Sequence, residues 1–345
     1  MRKEVKIGNV MIGGGHHIAI QSMLSTPSDQ PEACVRQALE LQKAGCEIVR
    51  VAIPDLTAVK TIAALKERID IPVVADIHFD YKLALESAAA GVDKIRINPG
   101  NIGSDDKVRS VADACRQKSI PIRIGVNGGS LEKSILSKYG APTAEALAES
   151  AMFHVGLLEK FDFDDIVISI KSSNVQSMIS AFRMVAERCR YPLHIGVTEA
   201  GPGRKGVIKN AIGIGSLLCD GIGDTIRVSL TDDPIEEIYA AKDILASLGM
   251  LADTPQLISC PTCGRTRIDL ISLAEKVDAM LRDVHKPVKV AVMGCAVNGP
   301  GEAREADIGV AGGKDEGIIF KKGTILKKVP YDDIIRVLRE EIDKL

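Results

Sequence analysis

The sequence predicts an α/β protein: a (β/α)8 TIM barrel followed by a smaller α+β domain. Three observations lead there. Eight short β-branched runs alternate strictly with amphipathic stretches as far as Leu248, the pattern of strands each followed by a helix. Apolar residues make up 46% of the 345 but aromatics only 3%, with no Trp. The core must then be built from Val, Ile, Leu and Ala, which suits buried parallel strands under helices. Past Gly249–Pro255, which reads as a linker, the alternation stops and cysteine-bearing turns begin.

In chain order, the strands are expected at Ile18–Met23, Glu47–Ile53, Val73–His78, Lys94–Asn98, Ile122–Asn127, Ile166–Lys171, Leu193–Thr198 and Thr225–Leu230. The helices that follow them are Pro31–Ala44, Leu56–Arg68, Lys82–Ala90, Asp106–Lys118, Thr143–Lys160, Ser177–Arg190, Gly206–Cys219 and Pro234–Leu248. A doubly wound open sheet is the alternative arrangement; eight units favour closure. The first domain is placed at residues 1–252 and the second at 256–345. The second opens on a cysteine turn and continues with a helix near Asp269–Arg282. Strands follow near Val288–Met293, Ile308–Ala311 and Gly317–Phe320, and a helix over Tyr331–Lys344 closes it.

A formal net charge of −2 gives no basic field for nucleic acid or an anionic membrane surface. No run approaches the roughly 18 apolar residues of a membrane span. Met1-Arg2-Lys3-Glu4 lacks the apolar region of a signal peptide, so a cytoplasmic protein is expected. Eight Cys in a chain this long do not make a disulfide scaffold, and reduced thiols fit better. Cys34, Cys46, Cys115, Cys189 and Cys219 stand singly and read as ordinary buried thiols.

The strand ends carry polar residues whose spacing is informative. Asp76 and His78 are two apart, as are Arg96 and Asn98, Lys171 and Ser173, and Arg227 and Ser229; Arg123 and Asn127 are four apart. Residues of equal parity share one face of a strand, so these point into the barrel mouth while Ile77, Ile97, Ile124 or Val126, and Val228 face the helices. Arg50 and Glu199 lie near the ends of their own strands. One charged residue at a strand end is ordinarily a solvated edge. Arg50, Arg96, Arg123, Lys171 and Arg227 together, against Asp76 and Glu199, would be costly to bury without a partner. An anionic ligand resolves this, and Arg's planar fork suits phosphate oxygens, so the mouth reads as a diphosphate site.

A competing signal is Gly201-Pro202-Gly203-Arg204-Lys205-Gly206, which fits G-x-G-x-x-G between a strand and a helix. No acidic residue ends the next strand, as a dinucleotide site requires; Asp224 precedes it. The segment reads as a strand–helix loop. His16 and His17, after three glycines, read as surface residues, and His154, His194 and His285 as structural or exposed; only His78 joins the site.

The second domain holds Cys260-Pro261-Thr262-Cys263-Gly264-Arg265 and Gly294-Cys295-Ala296-Val297-Asn298-Gly299-Pro300-Gly301-Glu302. Three thiols in two turns suit zinc or an iron–sulfur centre. No fourth Cys or suitably spaced His follows Cys295, while Glu302 comes seven residues later on a Gly-Pro-Gly segment. A site one thiolate short, with a carboxylate to hand, points to a displaceable oxygen ligand and so to chemistry at iron.

With both constellations in hand, the chain resembles the 4-hydroxy-3-methylbut-2-enyl diphosphate synthase family of the methylerythritol phosphate route to isoprenoids. The resemblance runs through Gln21-Ser22-Met23, Val74–His78, Arg96–Asn101, Arg123–Asn127, Thr198–Gly201, Gly221–Ser229 and both cysteine segments. Where the family usually reads Thr-Asn-Thr after Met23, this chain has Leu24-Ser25-Thr26. The large insertion of plant-type members is absent, as in the two-domain bacterial form. The resemblance implies a [4Fe–4S] cluster on Cys260, Cys263, Cys295 and Glu302. It implies reductive ring opening and dehydration of 2-C-methyl-D-erythritol 2,4-cyclodiphosphate, with electrons from ferredoxin or flavodoxin. Substrate contacts fall to Arg50, Arg96, Asn98, Arg123, Asn127, Lys171, Thr198, Arg227 and Ser229. Glu199 is the expected proton donor, with Asp76 and His78 as orienting or relay groups.

Two other readings remain: a phosphate-binding barrel of aldolase or pterin-synthase type with a structural zinc domain, and a nucleic-acid-binding iron–sulfur sensor, against which the neutral charge counts. Chain geometry adds one expectation. Helix Pro234–Leu248, at about 1.5 Å per residue, carries the chain roughly 22 Å away from the mouth. The linker reaches back at most about 25 Å. A head-to-tail homodimer, each mouth capped by the other chain's second domain, avoids that strain and is also what the resemblance implies.

Overall fold

The computed structural model describes residues 1–251, 254–284, 286–295, 301, 303–313 and 316–345. The chain divides into two compact units, Met1–Leu248 and Gly249–Leu345.

The first unit opens with a hairpin that sequence patterning did not reveal, β1 (Val5–Ile7) paired antiparallel with β2 (Val10–Ile12). Three-residue strands are too short to show alternation. Its Val5, Ile7 and Ile12 pack with Ala19, Ile48, Val74 and Val167 of the barrel strands. Eight parallel strands follow: β3 (Ala19–Met23), β4 (Ile48–Ala52), β5 (Val73–Asp76), β6 (Lys94–Ile97), β7 (Ile122–Asn127), β8 (Ile166–Lys171), β9 (His194–Ile195) and β10 (Thr225–Ile226). Their order is β8-β7-β6-β5-β4-β3-β10-β9, and a parallel bridge from Ile168 to Leu193 joins the two ends. The ring closes as a barrel.

Local signals place the helices behind the strands. Asp55 caps Leu56–Arg68 through the Thr57 and Ala58 amides, and Thr143 caps Ala144–Glu159. Pro31 and Pro234 each occupy the first turn of a helix, where a missing N–H costs nothing. The last two strands are shorter than their apolar runs. The ladder ends where the Arg227 amide donates to the Ile195 carbonyl. Beyond it Gly196 lies so close to the Arg227 carbonyl that a Cβ would meet that oxygen at 2.3 Å. Patterning also omitted two short helices in the mouth loops, Pro99–Ile102 and Lys133–Tyr139.

The second unit is a five-stranded mixed sheet in the order β11 (Gln256–Ser259), β12 (Lys289–Met293), β13 (Ile308–Gly312), β14 (Glu316–Lys321), β15 (Thr324–Pro330). The first three strands are parallel and the last two antiparallel to their neighbours. Helices Leu270–Leu281 and Ile334–Asp343 cover one face through Leu273, Val277, Leu338 and Ile342, packed on Val290, Val292 and Val310. On the other, Ala291, Met293, Ala303, Ala306 and Phe320 cluster, with Cys260 against them.

Candidate functional site

The strand ladder brings the expected charged residues together. Parallel registers set Arg50 beside Val74, Asp76 beside Arg96, Arg96 beside Arg123, and Asn127 beside Lys171. Asp76 is the hub. Its Oδ1 lies 2.9 Å from Arg96 Nη1, and its Oδ2 lies 3.7 Å from Arg50 Nε and 4.0 Å from His78 Nε2. Burial alone would raise the Asp76 carboxyl, but Arg50, Arg96, Arg123 and Lys171 hold it well below the usual range.

The cations outnumber their partners. Arg123 is fully buried, and its Nε, Nη1 and Nη2 all lack a hydrogen-bond acceptor; Arg50 Nη1, Arg96 Nε and Arg227 Nε are also unpaired. Arg50 turns two nitrogens to the Met23 sulfur, at 3.1 and 2.7 Å, a weak acceptor. Burial pushes the Lys171 ammonium down to about 6, with Arg50, Arg96 and Arg123 adding to the effect and Asp76 opposing it. Buried guanidinium donors without acceptors are rare in a finished core and are what an anion pocket presents.

Three residues that patterning missed complete this interior. Lys94, two residues before Arg96 on the same face of β6, is fully buried, and its Nζ donates to Gln21 Oε1 at 3.4 Å. The Lys-Ile-Arg-Ile-Asn alternation carried that signal, since its parity runs the whole strand. Glu237, from helix Pro234–Ser247, accepts from Ser22 Oγ at 3.2 Å and the Leu230 amide at 3.0 Å, and lies 3.6 Å from Arg227 Nη2. No local pattern marks a first-turn helical Glu as reaching inward. Buried Asn210 bridges the Gly206 and Ser229 carbonyls and accepts from the Ser229 amide, fixing the loop that carries Ser229.

The remaining expected residues sit at the rim. Asn98 Oδ1 accepts from the Gly100 amide and its Nδ2 donates to Ser130 Oγ, so it organises two mouth loops. Asn127 ends β7 half-buried, and Thr198 is half-buried beyond β9. Glu199 is exposed, in the left-handed region at φ +54°, while Glu237 is the carboxylate that meets Arg227. His154 and His194 are buried; His194 Nδ1 meets Thr225 Oγ1 at 2.7 Å, and burial with Arg123 and Lys94 nearby keeps its imidazole well below the usual range. His16 and His17 are exposed, and His285 lies outside the described residues. Cys34, Cys46 and Cys115 are buried and Cys189 partly so, whereas Cys219 is exposed, contrary to expectation. The glycine-rich segment is a tight strand–helix turn: a Cβ on Gly206 would meet the Gly201 carbonyl oxygen at 2.3 Å.

In the second unit, pairing of β11 with β12 sets Ser259 opposite Val292, so the next residues of each strand bring the two cysteine segments together. The Gly294 amide donates to Cys260 Sγ at 3.1 Å, and the Arg267 amide to the Gly294 carbonyl at 3.0 Å. Thr266 closes the turn by accepting from the Cys263 amide. A hydrogen bond from the Arg265 amide, with help from its side chain, lowers the exposed Cys263 thiol. Amide donors aimed at sulfur favour thiolates, as metal ligation requires. Among the described residues no three His, Cys, Asp or Glu side chains converge on a point where one ion could sit. Glu302 and Ala296–Pro300 lie outside the described residues. Among the described residues no helix is long and apolar enough to cross a membrane.

Family models match both units of the chain. The GcpE TIM-barrel domain matches residues 2–242 and the GcpE protein C-terminal domain residues 256–344. The chain is 57% identical over 343 residues to the 4-hydroxy-3-methylbut-2-en-1-yl diphosphate synthase (flavodoxin) of Clostridium perfringens, covering 99% of this chain and 98% of that one. It is 53% identical to the protein of that name from Ruminiclostridium cellulolyticum, covering 99% and 97%. Among solved structures, dihydropteroate synthase of Yersinia pestis aligns with a TM-score of 0.53 at 12% identity, over 72% of this chain and all of that one. That likeness shows the barrel fold alone. The chain belongs to the GcpE family.

Proposed function

We propose that this member of the GcpE family reductively opens and dehydrates 2-C-methyl-D-erythritol 2,4-cyclodiphosphate to 4-hydroxy-3-methylbut-2-enyl diphosphate, taking two electrons from flavodoxin. The observation that carries this is Arg123, sealed in the barrel with three unpaired nitrogens beside Arg50, Arg96, Lys171 and Arg227. A diphosphate supplies the missing acceptors. The family match favours this over a pterin-synthase-type barrel with structural zinc.

Arg123, Arg96 and Lys171 bind the diphosphate oxygens, and Asp76 orients Arg50 and Arg96 for the task. Arg227, held by Glu237, completes the cationic wall, and Asn98, Asn127, Thr198 and Ser229 line the rim. This binding positions the carbon skeleton, whose departing hydroxyl takes its proton from Glu199, with His78 beside Asp76 as an alternative relay. Cys260, Cys263, Cys295 and Glu302 would hold a [4Fe–4S] cluster, which when bound supplies electrons and Lewis acidity for breaking the C–O bond. The amide donors on Cys260 and Cys263 support that ligation.

Anaerobically purified protein should be brown and, with a strong reductant, convert the cyclodiphosphate; colourless, zinc-loaded protein without turnover would sink the reading. We further propose that the working unit is a head-to-tail homodimer with a shared site, on the linker-reach grounds above. Mixing an Arg123 variant with a Cys295 variant, each inactive alone, should restore partial activity; if subunits exchange and none returns, sharing is wrong.

A further inference from the structure

The barrel interior holds six cationic side chains, Arg50, Lys94, Arg96, Arg123, Lys171 and Arg227, and the carboxylates that meet them in ion pairs are Asp76 and Glu237. Six cations against two carboxylates leave a net charge of +4, and among the described residues Lys94, Arg123 and Lys171 meet no carboxylate in an ion pair. Guanidinium groups do not give up protons in proteins; amines do. An empty site of this composition therefore relieves its charge at its lysines.

The two lysines differ in reach. Lys94 is fully buried, with the Gln21 amide oxygen at 3.4 Å and Arg123 and Arg50 nearby. Lys171 ends β8 in register with Asn127 of β7, half-buried at the mouth. The charges that act on it are those of Arg50 from β4, Arg96 from β6 and Arg123 from β7, with Asp76 from β5 opposing them. Across the barrel Arg227 and Glu237 answer each other, and burial with the same cations pushes the His194 imidazole on β9 well below its usual range.

We propose that Lys171 is neutral in the empty barrel and becomes an ammonium when the diphosphate binds, so that substrate capture takes up one proton from solvent. The inference rests on reading the mouth as the cyclic diphosphate site. In that ligand each phosphorus carries one ester and one anhydride linkage and keeps one strongly acidic oxygen. It stays a dianion across the working range, and any proton exchanged on binding belongs to the protein.

The sign follows from linkage. Above the free amine's value of about 6, the empty site carries no proton at Lys171 while the bound site does. The dissociation constant therefore rises roughly tenfold per pH unit until the bound ammonium itself titrates.

The test is calorimetric titration of anaerobic holoenzyme with the cyclodiphosphate, no reductant present, in buffers of different ionisation enthalpy. Near pH 7.5 the apparent enthalpy should vary with buffer by an uptake of about one proton per site. Lys171→Arg, a permanent cation, should still bind but with no uptake and a flat pH dependence. Lys171→Met should bind more weakly and also lose uptake. Binding with buffer-independent heat in the wild type overturns the inference and leaves the site reading standing. Uptake that persists in Lys171→Arg also overturns it, because another group is then the acceptor. No binding at all defeats the site reading and the inference with it.

Discussion

Arg123 is sealed inside a strand with all three nitrogens unpaired, whereas Cys263 lies exposed on a turn organised by its own neighbours. Most of the barrel's charged groups are spread over strands β4 to β8, each locked by register to the next. The cysteines come from two strand ends that the pairing of β11 with β12 brings side by side, with hydrogen bonds at Gly294, Thr266 and Arg267 beside them. The barrel site is thus complete in shape and strained in charge before its ligand arrives. On the proposed reading the thiol site, its donors in place, would gain order from the cluster it holds, so that the fold supports one site while the other supports the fold.

The largest test of this contrast is Cys295→Ala. It should abolish turnover and the brown colour while leaving the barrel's unfolding transition in place, with a separate, earlier transition for the second unit. A single cooperative transition that shifts as a whole would show that the two units do not differ in this way. Second in size is Asp76→Asn, which leaves Arg50 and Arg96 without their carboxylate. Breaking a buried pair costs about 3–5 kcal/mol, visible as a lower denaturation midpoint of the first unit.

Arg123→Met sharpens the comparison further because stability and function should part. Removing a buried cation with no acceptor should stabilise the empty barrel by about 1–3 kcal/mol. The same change should weaken diphosphate binding by one to two decades, since a charge-assisted contact is worth about 1.5–3 kcal/mol. A melting point that falls together with affinity would mean that Arg123 is satisfied in the empty state.

These contrasts also show what the sequence could reveal. Strand–helix alternation located the barrel because each unit repeats the same burial pattern eight times. Parity at the strand ends found Arg96, Arg123, Asp76 and Lys171, since a strand fixes side-chain direction every two residues. It would have found Lys94 had it been followed one step down β6. Glu237 could not be found this way: it sits on a helix whose tilt toward Arg227 is set by tertiary packing. The hairpin Val5–Ile12 was equally hidden, because three-residue strands leave no period to read. The strand leading to Glu199 was overextended for a similar reason. Extending an apolar run to Thr198 assumed a strand that ends at Ile195, and beyond it the chain turns left-handed.

The smallest effect expected is at Gly125, and it probes how rigid the barrel site is. Gly125 lies on β7, and a Cβ there would meet Arg96 Nε at 2.4 Å and Nη2 at 2.6 Å. The Arg96 guanidinium therefore lies flat against bare backbone, a placement that only glycine permits. Its tip could swing away, but Nη1 is tied to Asp76 at 2.9 Å, so the added methyl must stretch that pair or push the strand. Gly125→Ala should cost about 1–3 kcal/mol, the usual range for overpacking. It should raise KM more than it lowers kcat, because a displaced guanidinium affects diphosphate binding before it affects the C–O bond. Pairing it with Arg96→Lys, whose slimmer head clears the methyl, should recover part of the lost stability and leave KM high. If Gly125→Ala is silent in both stability and KM, then Arg96 moves freely and the barrel site is less preformed than its register implies.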